Sequence, residues 1–409
     1  MTNRKALECN ECATRTITRT AIGHGDYQEF AFPCPGCGIE IRFGMNLYPR
    51  EGRWKYVKLT NARWVDPEDG ITNEIKLDGE SLIPVHDRDI LMPFLKTVFL
   101  AKDVNIFRGH QGIRFMATSD IWPMIEKVLH YHEDGNHGLL LVKSLRQVGY
   151  KASLDTERDF AAALIWVFDR YGLFFRMRQD SDEQTVRQRI NLAESIATKG
   201  VMDFYTLLRS SSRLHQMFRE ANAIRKTWTK FYSFLFPIFN VFYWDSKNHE
   251  LTDYTLCQKR FDEIKQFYVD CFETFCRFST LAAALEGFIF LGRLCVPTKA
   301  GSMTFEEYEA LPNGSKPDIL KNLPAIAGIF VPYIDSKLRN GVGHHSARYV
   351  VKSDTISYVN RGKKGVQQFS IPYISFCEEI VQLYVQLETV FLYWAGAYGR
   401  SHGITDKIV

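Results

Sequence analysis

The chain has 409 residues, of which 45% are hydrophobic and 24% are charged. These proportions exclude an intrinsically disordered protein, and the length predicts two or three domains. The first eight residues lack the apolar stretch of a signal peptide, and the longest apolar run, residues 231–244, contains Pro237. Because a bilayer-spanning helix needs about 20 apolar residues, we expect a cytoplasmic protein without a membrane segment.

Four of the nine cysteines form two Cys-x-x-Cys pairs near the N-terminus, Cys9/Cys12 and Cys34/Cys37. In a zinc knuckle such a pair binds the ion while a following glycine permits a tight turn, and Gly38 follows the second pair. The alternative, two disulfides, conflicts with a reducing cytoplasm. The sequence therefore predicts a zinc ribbon with one structural Zn²⁺. The other five cysteines are scattered through apolar sequence, which is typical of buried hydrophobic side chains.

Strand-like patterns continue beyond the zinc ribbon. Residues 14–20 alternate between Thr, Arg and Ile, and the large apolar side chains of residues 54–64 lie among polar ones. We therefore interpret residues 1–95 as a zinc ribbon with a β-rich extension. The sequence leaves open whether this domain binds nucleic acid, binds protein or only holds structure.

After about residue 95, apolar residues recur at helical spacing. The pattern covers residues 161–175, 185–197, 204–229, 261–293 and 374–398. These segments predict a mainly α protein, with a helical middle domain over residues 96–225 and a C-terminal helical domain over residues 226–409. Residues 303–324, which are rich in Pro and Gly, are predicted to form a loop-rich insertion.

One short segment near the C-terminal end combines phosphate-binding and proton-transferring side chains. Arg339 and Asn340 are followed, with two intervening glycines, by His344 and His345. A guanidinium binds phosphate through a fork of N–H donors, and an imidazole with a pKa near 6.5 can accept or donate a proton at neutral pH. This is the chemistry needed to cut a phosphodiester without a metal ion.

The sequence around this segment predicts a helix, a β-excursion and a second helix. Residues 325–338 can form a helix that leads into Arg339, whereas Gly341 and Gly343 disfavour its continuation, since Gly costs roughly 1 kcal/mol relative to Ala inside a helix. Short strands are predicted at residues 349–351, 355–359 and 366–371, before a long amphipathic helix from about residue 374.

Positive charge is concentrated around the same segment. Residues 335–365 contain seven Lys or Arg against two Asp, a local charge of +5 in a chain whose total is +4. A polyanion-binding surface requires such a concentration. The candidate RNA-binding residues are Lys337, Arg348, Arg361, Lys363 and Lys364, although the last three are also typical of a solvated hairpin tip.

The segment Arg339-Asn340-Gly341-Val342-Gly343-His344 resembles the R-N-x-x-x-H motif of HEPN-domain proteins. Domains of that family are helical bundles with the motif at the start of a C-terminal helix, and the resemblance covers residues from about 225 to 409. The β-excursion after His345 departs from the simpler bundles. Arg209 and His215 also fit a bare Arg/His spacing, but no Asn follows that Arg, so we do not interpret the pair as a site.

The resemblance implies a metal-independent endoribonuclease in which the motifs of two protomers form one composite site. His344 would transfer the proton of the ribose 2′-OH or of the leaving 5′-oxygen, Arg339 would bind a phosphate oxygen, and Asn340 would orient the motif. His345 would be an accessory proton carrier or a solvent-facing residue. The implied partners are RNA and a second copy of the chain, with a protein or nucleic-acid trigger at the zinc ribbon. A toxin-like or antiviral defence role follows by family analogy alone.

Two other interpretations remain. Arg339 could pair with a carboxylate while His344 serves only in a turn, which would suit a non-catalytic HEPN RNA-binding or scaffold protein with a zinc-ribbon interaction module. A zinc-ribbon regulator that binds DNA is disfavoured, because the basic charge lies far along the chain from the ribbon.

Overall fold

The computed structural model describes residues 2–21, 27–48, 53–67, 70–79, 81–84, 121–133, 138–171, 204, 213–241, 251–323, 336–343, 346–362, 365–402 and 404. Of the described residues, 50% are helical and 29% lie in strands. The prediction of a mainly α protein is therefore wrong, although the C-terminal region is helical. The fold mixes long helices with several small sheets, because β-hairpins interrupt the helical sequence and the N-terminal region is almost entirely β.

The described strands form five small sheets, ordered β6-β1-β2-β7, β3-β4-β5, β8-β9, β10-β11 and β12-β13-β14. Their bounds are β1 Thr2–Cys9, β2 Arg15–Ala21, β3 Tyr27–Pro33, β4 Glu40–Tyr48, β5 Arg53–Thr60, β6 Ala62–Val65, β7 Glu74–Leu77, β8 Ile83–Pro84, β9 Tyr254–Thr255, β10 Cys295–Thr298, β11 Gly301–Thr304, β12 Arg348–Val350, β13 Thr355–Gly362 and β14 Gly365–Pro372. The pairing is antiparallel except between β2 and β7, which are parallel.

The described helices include four that exceed 14 residues. Their bounds are α1 Ile121–Glu133, α2 Leu139–Gln147, α3 Glu157–Tyr171, α4 Arg213–Val241, α5 Phe261–Leu291, α6 Phe305–Glu309, α7 Lys316–Leu320, α8 Ser336–Gly343 and α9 Tyr373–Ser401. The helices predicted at residues 261–293 and 374–398 are observed as α5 and α9. The one predicted at residues 185–197 lies outside the described residues.

The N-terminal β region is consistent with the sequence prediction. Its two larger sheets share a core that includes Phe30, Phe43 and Met45, and the partly buried Trp54 and Trp64 pack against it. The alternation at residues 14–20 becomes β2, and the pattern at residues 54–64 becomes β5 and β6. Residues 303–324, predicted to be loop-rich, instead contribute to β11, α6 and α7 and to a small apolar cluster around Tyr308 and Leu320.

The chain forms two compact units, each assembled from separate stretches. Unit 1 comprises Met1–Gly109, Lys230–Gln266 and Asn340–Val381, and unit 2 comprises His110–Thr229, Phe267–Arg339 and Gln382–Val409. The division into domains at residues 1–95, 96–225 and 226–409 stays a prediction from the sequence.

Unit 2 contains an ion pair within its aromatic interior. The Arg225 guanidinium donates to both carboxylate oxygens of Glu388, at 2.7 and 2.5 Å, and lies 3.9 Å from the centre of the Phe391 ring. Beside it the Trp228 and Tyr384 rings stack with their centres 4.0 Å apart. Because a buried charge is costly without a partner, the pair fixes how α4 and α9 pack in this unit.

One described helix, α5, has the length and composition to cross a membrane. In its most apolar window, 72% of the residues are buried inside the fold, as in the core helix of a globular protein. The apolar run from residue 231 likewise continues α4 past Pro237, with Phe234 and Leu235 almost fully buried.

Candidate functional site

The four cysteines of the two Cys-x-x-Cys pairs come together. Their sulfurs all lie within 4.8 Å of one another. Sγ of Cys9 is 3.8 Å from that of Cys37, and Sγ of Cys12 is 3.6 Å from that of Cys34. Four thiolates at about 2.3 Å from a tetrahedral Zn²⁺ would be roughly 3.8 Å apart. The cluster therefore fits a metal ion such as zinc.

The two knuckles that carry these cysteines share one backbone pattern. Ala13 N–H donates to Cys9 O at 3.0 Å, and Gly38 N–H donates to Cys34 O at 2.9 Å. Both donors lie in the left-handed region, with φ of +55° at Ala13 and +78° at Gly38. The turn expected at Gly38 is thus observed, and the first knuckle makes the same turn with an alanine, at a cost of about 1–2 kcal/mol.

A glycine and a threonine complete the cysteine cluster. A Cβ on Gly36 would lie 2.1 Å from Thr14 Oγ1 and 3.0 Å from Cys12 Sγ, so the two knuckles approach this closely only because residue 36 has no side chain. The Thr14 hydroxyl lies 3.1 Å from Cys12 Sγ. Hydrogen bonds from Thr14 lower the pKa of the Cys12 thiol to about 6, which favours the metal-binding thiolate.

The Arg/His motif begins on α8, which continues through Gly341 to Gly343. Gly341 therefore does not interrupt the helix, contrary to the expectation, whereas the helix ends at Gly343. The reason at Gly341 is packing. A Cβ on Gly341 would lie 2.4 Å from Cδ2 of Tyr358 in β13, so the glycine lets the helix lie directly against the strand. Of the helix predicted over residues 325–338, the structure describes only the part from Ser336.

Arg339 is held by a carboxylate from α5. Its Nη2 donates to Glu273 Oε1, and the second oxygen of Glu273 accepts from Asn313 Nδ2. The guanidinium carbon also lies 5.8 Å from the centre of the Phe272 ring. The Arg339 and Glu273 side chains are 23% and 20% exposed. The arginine is therefore oriented on two sides, and part of it still reaches solvent.

The structure describes only some of the other candidate residues in and around the motif. Lys337 and Arg348 are exposed, and Asn340 is half-buried on α8. Arg361 lies in β13, and its side chain is outside the described residues. His344, His345, Lys363 and Lys364 also lie outside the described residues. The strands predicted after the motif are confirmed as β12, β13 and β14.

A polar network in unit 1 anchors the turn that leads into β13. Lys259, whose side chain is 5% exposed, places Nζ 2.7 Å from Asp354 Oδ1 and 2.9 Å from Thr255 Oγ1. The Tyr349 hydroxyl donates to Asp354 Oδ1 at 2.8 Å. Burial raises the pKa of Tyr349, with the charge of Asp354 adding to the effect, so the phenol keeps its proton and stays a donor.

Sequence reasoning missed Lys259, Asp354, Glu273 and Asn313. Lys259 and Asp354 are 95 residues apart, and Glu273 and Arg339 are 66 apart. No local pattern connects residues at such separations. The one sequence signal was the alternative interpretation in which Arg339 pairs with a carboxylate.

No protein-family model, no curated protein and no solved structure matches this chain. The resemblance to HEPN-domain proteins therefore rests on the residues of the motif itself.

Proposed function

We propose that the chain is a metal-independent endoribonuclease of the HEPN type, with Arg339, Asn340 and His344 as its catalytic residues. The observation that carries the proposal is how the Arg339 side chain is held and how much of it is exposed. A carboxylate and an aromatic ring fix its guanidinium, yet 23% of the side chain is exposed. A guanidinium has five N–H donors, so a contact with Glu273 is compatible with a contact to phosphate.

In the proposed reaction, the ribose 2′-oxygen attacks the adjacent phosphorus and the bond to the 5′-oxygen breaks. His344 accepts the 2′-OH proton or donates a proton to the leaving 5′-oxygen. Arg339 stabilises the charge on the phosphate oxygens, and Asn340 orients the motif. The products are a 2′,3′-cyclic phosphate and a 5′-OH. Two protomers supply the site, and His345 is an accessory residue.

The surrounding charge supports RNA as the substrate. Lys337 and Arg348 are exposed beside the motif, and Arg361, Lys363 and Lys364 follow in sequence. The proposed setting is a cytoplasmic, toxin-like or antiviral defence effector, by family analogy alone. The N-terminal cysteine cluster would hold a structural Zn²⁺ in a domain that receives a protein or nucleic-acid trigger.

A non-catalytic RNA-binding or scaffold protein is the second candidate. The ion pair between Arg339 and Glu273 favours it, because a purely structural arginine would make the same contact.

A cleavage assay separates the two candidates. Labelled RNA is incubated with purified protein in dilute EDTA. The bound zinc is measured afterwards, so that a loss of activity caused by removal of zinc from the cysteine cluster is recognised. We expect His344→Ala and Arg339→Lys to lower the rate by about 10²-fold or more. Arg209→Lys and His215→Ala are matched controls, since that pair fits the same bare spacing, and they should retain the full rate.

The chemistry of the products gives a second criterion. A single 2′-deoxy nucleotide at the cleavage position should block the reaction, because it removes the nucleophile. Cleavage that survives both motif substitutions, or that requires an added metal ion, refutes the proposed nuclease. Binding without cleavage by the wild-type protein favours the scaffold.

A further inference from the structure

The sheet β3-β4-β5 in unit 1 has one apolar face and one basic, aromatic face. Residues paired across antiparallel strands share a face. The pairs Phe30/Phe43, Met45/Tyr56 and Leu47/Trp54 line the core. The opposite face therefore carries the alternate residues of the same strands. Among them are Tyr27, Asn46, Tyr48, Arg53 and Lys55, joined by Lys58, and we call these six residues the basic–aromatic face.

Lys58 reaches this face because of a β-bulge. The pairing of β4 with β5 shifts between Arg42 and Gly44, and Lys58 has a left-handed φ of +56°. With strict alternation, Lys58 would point into the core and Leu59 would point to solvent. The bulge reverses both, so Leu59 packs against the core and Lys58 is exposed. A bulge that redirects a side chain at a backbone cost of about 1–2 kcal/mol suggests a function for that side chain.

Two aromatic rings on the face each lie beside a cation. Lys58 Nζ is 5.2 Å from the centre of the Tyr27 ring, and the Arg53 guanidinium carbon is 4.9 Å from that of Tyr48. Tyr27 is 42% exposed and lies across Gly44, where a Cβ would be 2.6 Å from its hydroxyl. The glycine thus allows the tyrosine ring to lie flat on the sheet.

The charge of this face is positive. Lys55, Lys58 and Arg53 are exposed. The acidic residues on the described part of the same side, Glu29 and Glu40, both pair with Arg42, at 3.1 and 2.8 Å. The three exposed cations therefore outweigh the acids around them.

We propose that the basic–aromatic face binds single-stranded nucleic acid. Tyr27 is exposed and Tyr48 is half-buried. Aromatic rings that reach solvent on a sheet accept stacked bases, and neighbouring Lys and Arg side chains contact the phosphates between them. The first ring, Tyr27, lies across Gly44, and the second ring belongs to Tyr48. Gly44 and Tyr48 are four positions apart on β4, which is roughly 13 Å along a strand. Such spacing suits an extended strand with splayed bases, whereas the bases of a duplex are stacked on each other. This proposal does not depend on the nuclease activity.

The test measures binding of a fluorescent single-stranded RNA oligonucleotide to the full chain carrying His344→Ala, so that the RNA stays intact. We expect Lys55→Glu with Lys58→Glu to weaken binding at least tenfold and to reduce the slope of log K against log salt by about 1.4, since each phosphate contact contributes about 0.7. Lys127→Glu with Lys143→Glu is the matched control. Both lysines are exposed on helices of unit 2, and the charge change is identical. This control should bind within about twofold of the parent protein.

A second measurement reports on the aromatic rings and on the location of the bound strand. Tyr48→Leu should weaken binding at least about fivefold while leaving bound zinc and the melting temperature unchanged. Photocrosslinking with 4-thiouridine RNA should label peptides within residues 27–58. The proposal is overturned by equal losses in the two double-lysine variants, by less than twofold loss in Lys55→Glu/Lys58→Glu, by stronger binding of the matching duplex, or by crosslinks confined to residues 337–365.

Discussion

Removing the Glu273 carboxylate tests how firmly Arg339 is held. Glu273→Gln keeps the size of the side chain and one oxygen that can accept from Asn313, but it removes the charge that faces the guanidinium. A hydrogen bond between charged groups contributes about 1.5–3 kcal/mol. Both side chains are about one-fifth exposed, so the value should lie between the 0–1 kcal/mol or so of a surface pair and the roughly 3–5 kcal/mol of a buried one. We therefore expect a coupling of about 2 kcal/mol.

The coupling is measured with a double-mutant cycle of Glu273→Gln, Arg339→Met and the two together. In a unit of about 200 residues, 1 kcal/mol shifts the melting temperature by roughly 2–4 °C. Each single variant should therefore melt about 4–8 °C lower than the wild type by calorimetry. The double variant should melt close to the lower of the two single variants, because the interaction is already lost.

The result that would refute this reasoning is an additive cycle, with a coupling below about 0.5 kcal/mol. The pair would then contribute nothing measurable to the position of Arg339. RNA cleavage by Glu273→Gln adds a functional readout. If an oriented guanidinium is needed, the rate should fall in this variant at temperatures where the protein remains folded.

Three further predictions concern the metal cluster and the two close glycine contacts. Elemental analysis should find about one Zn²⁺ per chain, and its removal by a strong chelator should lower the melting temperature; a protein without bound metal contradicts the site. Gly38→Ala should destabilise by about 1–2 kcal/mol and Ala13→Gly should not, because both positions have positive φ; equal effects in thermal melts would count against this. Gly341→Ala should destabilise by about 1–3 kcal/mol, because the new Cβ meets the Tyr358 ring; an unchanged melting temperature would show that β13 can move away.

Some of the fold and site could be predicted because their signals are local. Apolar periodicity over three or more turns identified α5 and α9, and alternation between turn residues identified β12, β13 and β14. The cysteine cluster was predictable because the pair spacing is a property of the knuckle itself. Each of these features is set by residues close together in sequence.

The rest depended on contacts between distant residues. Gly341 was predicted to end a helix because glycine is a weak helix former, but its close approach to Tyr358 outweighs that preference. The direction of Lys58 is set by a bulge opposite β4, which strict alternation does not reveal. The class of the fold was wrong because strands make up 29% of the described residues, more than a mainly α protein contains.

The interleaving of the two units has a consequence for biosynthesis. Unit 1 needs Asn340–Val381 and unit 2 needs Gln382–Val409, so neither can close while its final stretch is still inside the ribosome. The early β-strands and the middle helices therefore cannot reach their final packing until residues 340–409 have also been synthesised. We therefore expect nascent chains to depend on chaperones, and a stop codon at position 382 to prevent unit 2 from forming.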